Sequence, residues 1–271
     1  MTRWIQIYRA QLKVGIAAML QYRFAVLIWA VWGFVGPLIS LAVWTAATAS
    51  RGGSISQGAT TFSRADFAAY FLVFMVFSHL TMSWDAMEFA SRIRDGQLSP
   101  QLLKPIHPIH RDVAANLAFK IVTSAMLLPV WGLLILIFKP TPPANLWQPI
   151  LAVPALLIAG VMRYLFNYCV ALIAFWTTRV DAINQLYFTL DSFLSGRIAP
   201  LALLPLWLGT IATYSPFRSM ISFPVELALG RVPPSQIPLG FALQIFWLSL
   251  SVIALRKMWN SGIRQYSAVG A

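Results

Sequence analysis

Few side chains in this 271-residue chain can do chemistry, and most of them lie in or beside long apolar runs. Asp85 and Glu88 are one helical turn apart, and Arg92 follows Glu88 by four residues, the spacing of an ion pair on one helix face. Arg163 stands inside an apolar run. Asp181 and Asp191 flank another, with Arg163 and Arg179 as candidate partners. Ionisable groups at such positions are expensive, so they mark structural pairing or contact with a substrate. Pairing is the simpler reading, because no row of acids at membrane spacing forms a proton wire. His79 also sits in an apolar run and reads as hydrogen-bonded inside a bundle. His107 and His110, beside Asp112, hint at a metal site, but Pro108 intervenes and no second cluster exists, so a polar turn is the simpler reading. Cys169 is the one cysteine, so no intrachain disulfide forms, and packing is its default role.

Enzymatic signatures are missing. The glycines nearest to a phosphate loop, Gly53 and Gly58, are not followed by Lys and Ser/Thr. Neither His-Glu-x-x-His nor Gly-x-Ser-x-Gly occurs. The chain alone is expected to be neither an enzyme nor a cofactor carrier, and any ATP drive must come from another subunit.

The elements that hold these residues are membrane helices. Hydrophobic residues make up 59% of the chain and charged residues 10%, against about 25% charged in a soluble domain. Apolar runs of about twenty residues match a hydrocarbon core about 30 Å thick. The pattern predicts an all-α polytopic membrane protein with six transmembrane helices, over residues 24–48, 67–87, 113–138, 150–176, 183–193 and 239–255. Gly33, Gly36 and Pro37 permit a kink or a close helix contact in the first span. Residues 3–22 read as an amphipathic interfacial helix, with Trp4, Ile7, Tyr8, Leu12, Ile16 and Met19 on one side and Gln6, Arg9 and Lys13 on the other. Residues 50–64 read as a polar loop, and no cleavable signal peptide is read.

Residues 194–238 are too apolar for an ordinary loop and too broken by Gly196, Pro200, Pro205, Pro216, Pro224, Pro233 and Pro234 for one span. Short re-entrant helices before the last span fit best, with Arg197 and Arg218 reaching headgroups or water. The whole chain is then a single permease-like domain: 1–23 interfacial, 24–193 the first five spans, 194–238 re-entrant, 239–271 the last span and tail.

A net charge of +12 would point to nucleic acid in a soluble protein. Here it reflects the cytoplasmic bias of Lys and Arg, and no nucleic-acid partner is expected. Thirteen Lys and Arg fall on the side of both termini, six on the other, and Arg163 lies within a span. Both termini are therefore expected in the cytoplasm.

Two segments carry a family resemblance. One reads Gly96 and Leu98, then Leu102, Leu103 and Pro105, and later Lys120. The other reads Ser195 and Gly196, Pro200, Leu204, Pro205 and Trp207, then Pro216 and Phe217. In this order, and with the terminus at 264–271, they resemble the membrane subunits of ATP-binding-cassette exporters of the type-two permease class. The likeness is to a bacterial subgroup with paired permeases. It implies a permease subunit in the bacterial inner membrane, partnered by two cassette ATPases that bind ATP and Mg, a second permease, related or identical, and membrane lipids. It also implies an ATPase-coupling loop at Arg92, Arg94, Asp95, Gly96, Leu98, Leu103, Lys104 and Pro105. An outer gate of re-entrant helices would fall at Ser195, Gly196, Pro200, Pro205, Pro216 and Phe217. A hydrophobic or amphipathic cargo (drug, lipid or glycolipid, as in multidrug efflux) is expected. The alternative is an ATP-independent secondary transporter or channel, which calls for internal repeats or buried coupling acids.

Overall fold

The computed structural model describes residues 2–58, 60–83, 85–177 and 179–266, without the side chains of 2–3 and 85–87. The described residues form α1 (Thr2–Gln21), α2 (Arg23–Ser50), β1 (Ser54–Gln57), β2 (Thr60–Ser63), α3 (Arg64–Thr81), α4 (Asp85–Arg94), α5 (Ser99–Leu102), α6 (Pro108–Phe138) and α7 (Gln148–Leu172). After a 3-10 turn at Ile173–Phe175 come α8 (Val180–Leu194), α9 (Leu206–Tyr214), a π turn at Arg218–Ser222, α10 (Phe223–Ala228) and α11 (Ile237–Gly262).

Among the described residues, four helical stretches are long and apolar enough to cross a membrane: Arg23–Ser50, Pro108–Phe138, Gln148–Phe175 and Pro234–Gly262. Their outward faces carry Ile28, Leu136, Leu157 and Phe246, all exposed. A water-soluble surface does not present belts of this kind.

The other two predicted spans take a different form. The span expected over 67–87 is not one helix, because α3 stops at Thr81 and Met82 is extended. The stop has no proline or glycine behind it. Thr81 Oγ1 turns back to the Phe77 carbonyl at 2.8 Å, and Asn116 Nδ2 on α6 donates to the Met82 carbonyl at 3.5 Å. Side chains thus satisfy backbone groups that a continuous helix would have used. The span expected over 183–193 is α8, with 15 residues. At 1.5 Å per residue it is about 22 Å long, short of the hydrocarbon thickness.

Two further expectations change. The stretch 50–64 is not all loop: β1 and β2 pair antiparallel, with Ile55 opposite Phe62. Both side chains are buried, and Phe62 stacks on Phe67, which stacks on Trp44. Period-two alternation of Ile55 and Phe62 with polar neighbours drives this small exception to an all-α fold. Gly33 and Gly36 make no close helix contact, since a Cβ on either would meet nothing within 4 Å. The close approach occurs instead at Gly15, where a Cβ would come within 2.8 Å of Ala118 Cβ, so α1 lies against α6.

Contacts define two ends of the bundle. At one end the Tyr8 hydroxyl meets His110 Nδ1 at 2.7 Å and Tyr266 meets Ser99 Oγ at 3.0 Å, so α1 lies by the start of α6 and Tyr266 by the 95–107 loop. At the other end the hairpin leads into α3, where Ser63 and Asp66 form a reciprocal capping box. There Asp66 also binds Thr141 at 2.9 Å and pairs with Arg231, and the Ala144 amide donates to the Leu229 carbonyl at 3.0 Å. One apolar core, around Phe67, Phe71, Met162 and Met220, fills the Asp66 end. A second, around Phe89, Leu98, Tyr168 and Leu172, fills the end with the termini.

Candidate functional site

The 95–107 loop has an anchored rear and a free tip. Gly96 has φ +70, a left-handed turn that suits glycine, and it stops α4. Leu98 then drops into the second core and is fully buried. Arg92 does not pair with Glu88. It reaches Asp112 on α6 at 2.9 Å and donates to Gln101 Oε1 at 3.0 Å, and Tyr168 OH donates to Asp112 at 3.3 Å. Arg92 and Asp112 are both buried while Glu88 is exposed. An attraction in low dielectric outcompetes a solvated helix-face pair. The side chain of Asp85 lies outside the described residues.

Beyond α5, Leu103, Lys104 and Pro105 are exposed, Leu103 by 89%, and Asp95 is exposed on the preceding turn. His107 closes the loop: its Nδ1 accepts from the Ile109 amide at 3.2 Å, and its ring lies 4.1 Å from that of Trp259. Burial, and then the neighbouring His110, push the His107 pKa down. His107 and His110 thus serve as helix cap and α1 anchor. Arg94 contacts Asp181 at 3.8 Å, so Asp181 pairs with neither Arg163 nor Arg179.

The middle of the bundle holds a buried charge cluster. Arg163 donates to Thr81 Oγ1 at 3.1 Å and to Asp191 Oδ2 at 3.5 Å, and Arg197 binds the same oxygen at 2.9 Å. Arg163 and Asp191 are almost wholly buried. Pairing of Arg163 with Asp191 was legible in the sequence, whereas the addition of Arg197 was not. His79 binds Thr123 Oγ1 at 2.9 Å, as expected of a bundle-interior histidine. Cys169 packs half-buried against α11, its Sγ 3.8 Å from the Ser251 carbonyl.

Toward the Asp66 end, residues 195–217 break where the sequence places them. Gly196 has φ +82, and a Cβ there would lie 2.1 Å from Tyr70 Oη, so only glycine fits. Tyr70 OH donates to the Gly196 carbonyl at 3.0 Å, and Ser222 Oγ donates to the Ser195 carbonyl at 2.7 Å. Pro200 precedes a 3-10 turn at Leu201–Leu203, Pro205 starts α9, and Pro216 with Phe217 joins α9 to the π turn. Gln244 on α11 donates to the Ser219 carbonyl of that turn at 2.9 Å and to the Ala155 carbonyl at 3.0 Å. Arg197 and Arg218 do not rely on headgroups or water alone: Glu226 neutralises Arg218 at 2.8 Å, while Arg197 shares Asp191 with Arg163. A cavity of about 440 Å³ lies here, bordered by Tyr70, Leu201, Thr210, Arg218, Glu226 and Arg231.

Tyr70, Asn116, Ser222 and Gln244 were missed from sequence. Each is a polar residue inside an apolar run, and that was the available signal.

A family model described as ABC-2 family transporter protein matches residues 56–270. A comparison with curated proteins finds no match.

Proposed function

The chain belongs to the ABC-2 family of transporter membrane proteins, a multi-pass permease subunit of an ATP-binding-cassette transporter, and from that membership we propose that it is the export pathway of a bacterial inner-membrane complex. In this reading the bundle crosses the membrane six times, using α3 with α4 as one crossing and α8 with the short helices after it as another. Both termini and the 95–107 loop face the cytoplasm, and residues 195–236 re-enter from the outer face to form its gate. The chain contributes no nucleotide site. Two cassette ATPases bind Mg-ATP, and a second permease, related or identical, closes the pathway. An amphipathic or hydrophobic cargo suits its walls.

The observation that carries this reading is the form of the loop. Its rear is fixed by the buried Arg92–Asp112 pair and by Leu98, while Leu103, Lys104 and Pro105 project. A tip that is exposed yet rigidly tied to α6 and α7 can pass a displacement into the bundle, and ATP does work only if it favours one bundle conformation over another. The test is co-purification with the cassette ATPase and its stimulation. Replacing Asp95 and Lys104 by alanine should lower stimulation while membrane insertion is kept. Unchanged stimulation would remove the loop from the coupling path.

A further inference from the structure

A second feature concerns what the pathway carries. Between α2, α3 and α8 lies a cleft of about 260 Å³, walled by Gly33, Gly36, Met75, His79, Phe188 and Arg197. Resting on the permease reading, we propose that this cleft binds the anionic headgroup of an amphiphile, a phosphate or carboxylate on an apolar tail.

The charge balance points this way. Arg163 and Arg197 share one carboxylate oxygen, Asp191 Oδ2. Among the described residues the cluster therefore carries one unit of positive charge in excess. Among the described residues no other acid pairs with either arginine: Asp66, Asp112, Asp181 and Glu226 pair elsewhere, and Glu88 and Asp95 are exposed. An uncompensated guanidinium at this depth is unfavourable, and an arriving anion relieves it. Arg163 is enclosed, so the excess charge is presented by Arg197, which is 26% exposed, lines the cleft and lies over the Phe74 ring. Asp191 Oδ1 is buried without a hydrogen-bond partner, so both arginine contacts fall on the one oxygen Oδ2 and neither guanidinium is held by both carboxylate oxygens.

The walls suit the rest of such a molecule. Ser78, His79 and Ser192 place polar groups near Arg197, while Met75 and Phe188 give apolar surface for a tail. Gly33 and Gly36 keep the α2 wall low: added Cβ atoms would meet nothing. That openness supplies a variant that fills the cleft without touching the charge cluster.

The experiment uses the full chain in phosphatidylcholine nanodiscs, with radiolabelled dodecyl phosphate and dodecyltrimethylammonium as probes. Dodecyl phosphate should bind saturably and about tenfold or more tightly than the cation, as expected for one charge-assisted hydrogen bond. Arg197→Gln, which leaves Arg163 and Asp191 as a neutral pair, should remove that preference. Gly36→Leu should block binding by bulk alone while the protein still elutes as the folded species. Equal binding of both probes, or undiminished phosphate binding in folded Gly36→Leu, overturns the proposal. Reconstitution into sealed phosphatidylcholine vesicles with ATPase and Mg-ATP separates the two sources of such a molecule. Release of the bound probe to the far side identifies cargo, retention through turnover identifies a resident lipid, and both uphold the site. Anion binding by a chain that recruits no ATPase would sink the exporter reading and leave the site standing.

Discussion

Arg92 and Asp112 meet at 2.9 Å across nineteen residues of intervening chain, and both side chains are buried. The pair is the clasp of the 95–107 loop. Removing one partner leaves the other buried and uncompensated, which costs about 3–5 kcal/mol, whereas replacing both with apolar residues is often close to neutral. Thermal unfolding in detergent should show Arg92→Met and Asp112→Leu each strongly destabilised, and the double variant recovering most of the loss. If the double variant is as unstable as the sum of the singles, the clasp is not an independent pair.

Gly15 makes a second sharp prediction. Gly15→Leu should push α1 off α6, since even a Cβ would sit 2.8 Å from Ala118 Cβ; overpacking of this kind costs about 1–3 kcal/mol. Hydrogen exchange in residues 2–21 should rise. Gly33→Ala is the control, because its Cβ meets nothing and the helix gains about 1 kcal/mol. Equal exchange in both variants would mean that α1 is not seated at Gly15.

Asp66 predicts the acid limb of stability. Burial alone would raise its carboxyl pKa, but bonds from the Ser63 side chain and amide and from Thr141, with the Arg231 charge, outweigh burial and hold it below the ordinary value of 3.8. A lowered folded pKa means the unfolded chain binds the proton first. The stabilisation is therefore whole above pH 3.8 and is lost as pH falls through the lower folded value. Asp66→Asn should lower stability at neutral pH and flatten this limb. An identical acid limb in the variant would show that another group sets it.

Orientation is tested by cysteine labelling in a Cys169→Ala background. Ser56 and Ala144 are exposed at the Asp66 end and Ser261 at the other. With thirteen Lys and Arg on the side of the termini, cysteines at 56 and 144 should react with an impermeant thiol reagent from outside intact cells, and one at 261 should not. The reverse pattern would place the termini outside.

The long helices were legible because their signal is local: α2, α6, α7 and α11 are runs of apolar residues, and Gly196 and Pro216 announce the breaks between short ones. What was not legible depends on partners far along the chain. The stop at Thr81 is created by Asn116 and Arg163, and nothing in Met82 or Ser83 announces it. Arg92 was matched to Glu88 because spacing on one helix is visible, while Asp112 comes close only after the loop folds. The hairpin at 54–63 was read as loop because two strands of four residues carry a period too short to stand out.

The interruption after Thr81 also sets how force travels. Were α3 to run on into α4, a displacement at the loop would be carried axially, as along a rod, to the hairpin end. Instead α4 lies on α7 and on the 3-10 turn that follows it, and α7 lies on α11. On the proposed coupling role, a shove on Leu103 is therefore taken sideways, with the extended Met82 as the knuckle and α7 as the member that bears the load.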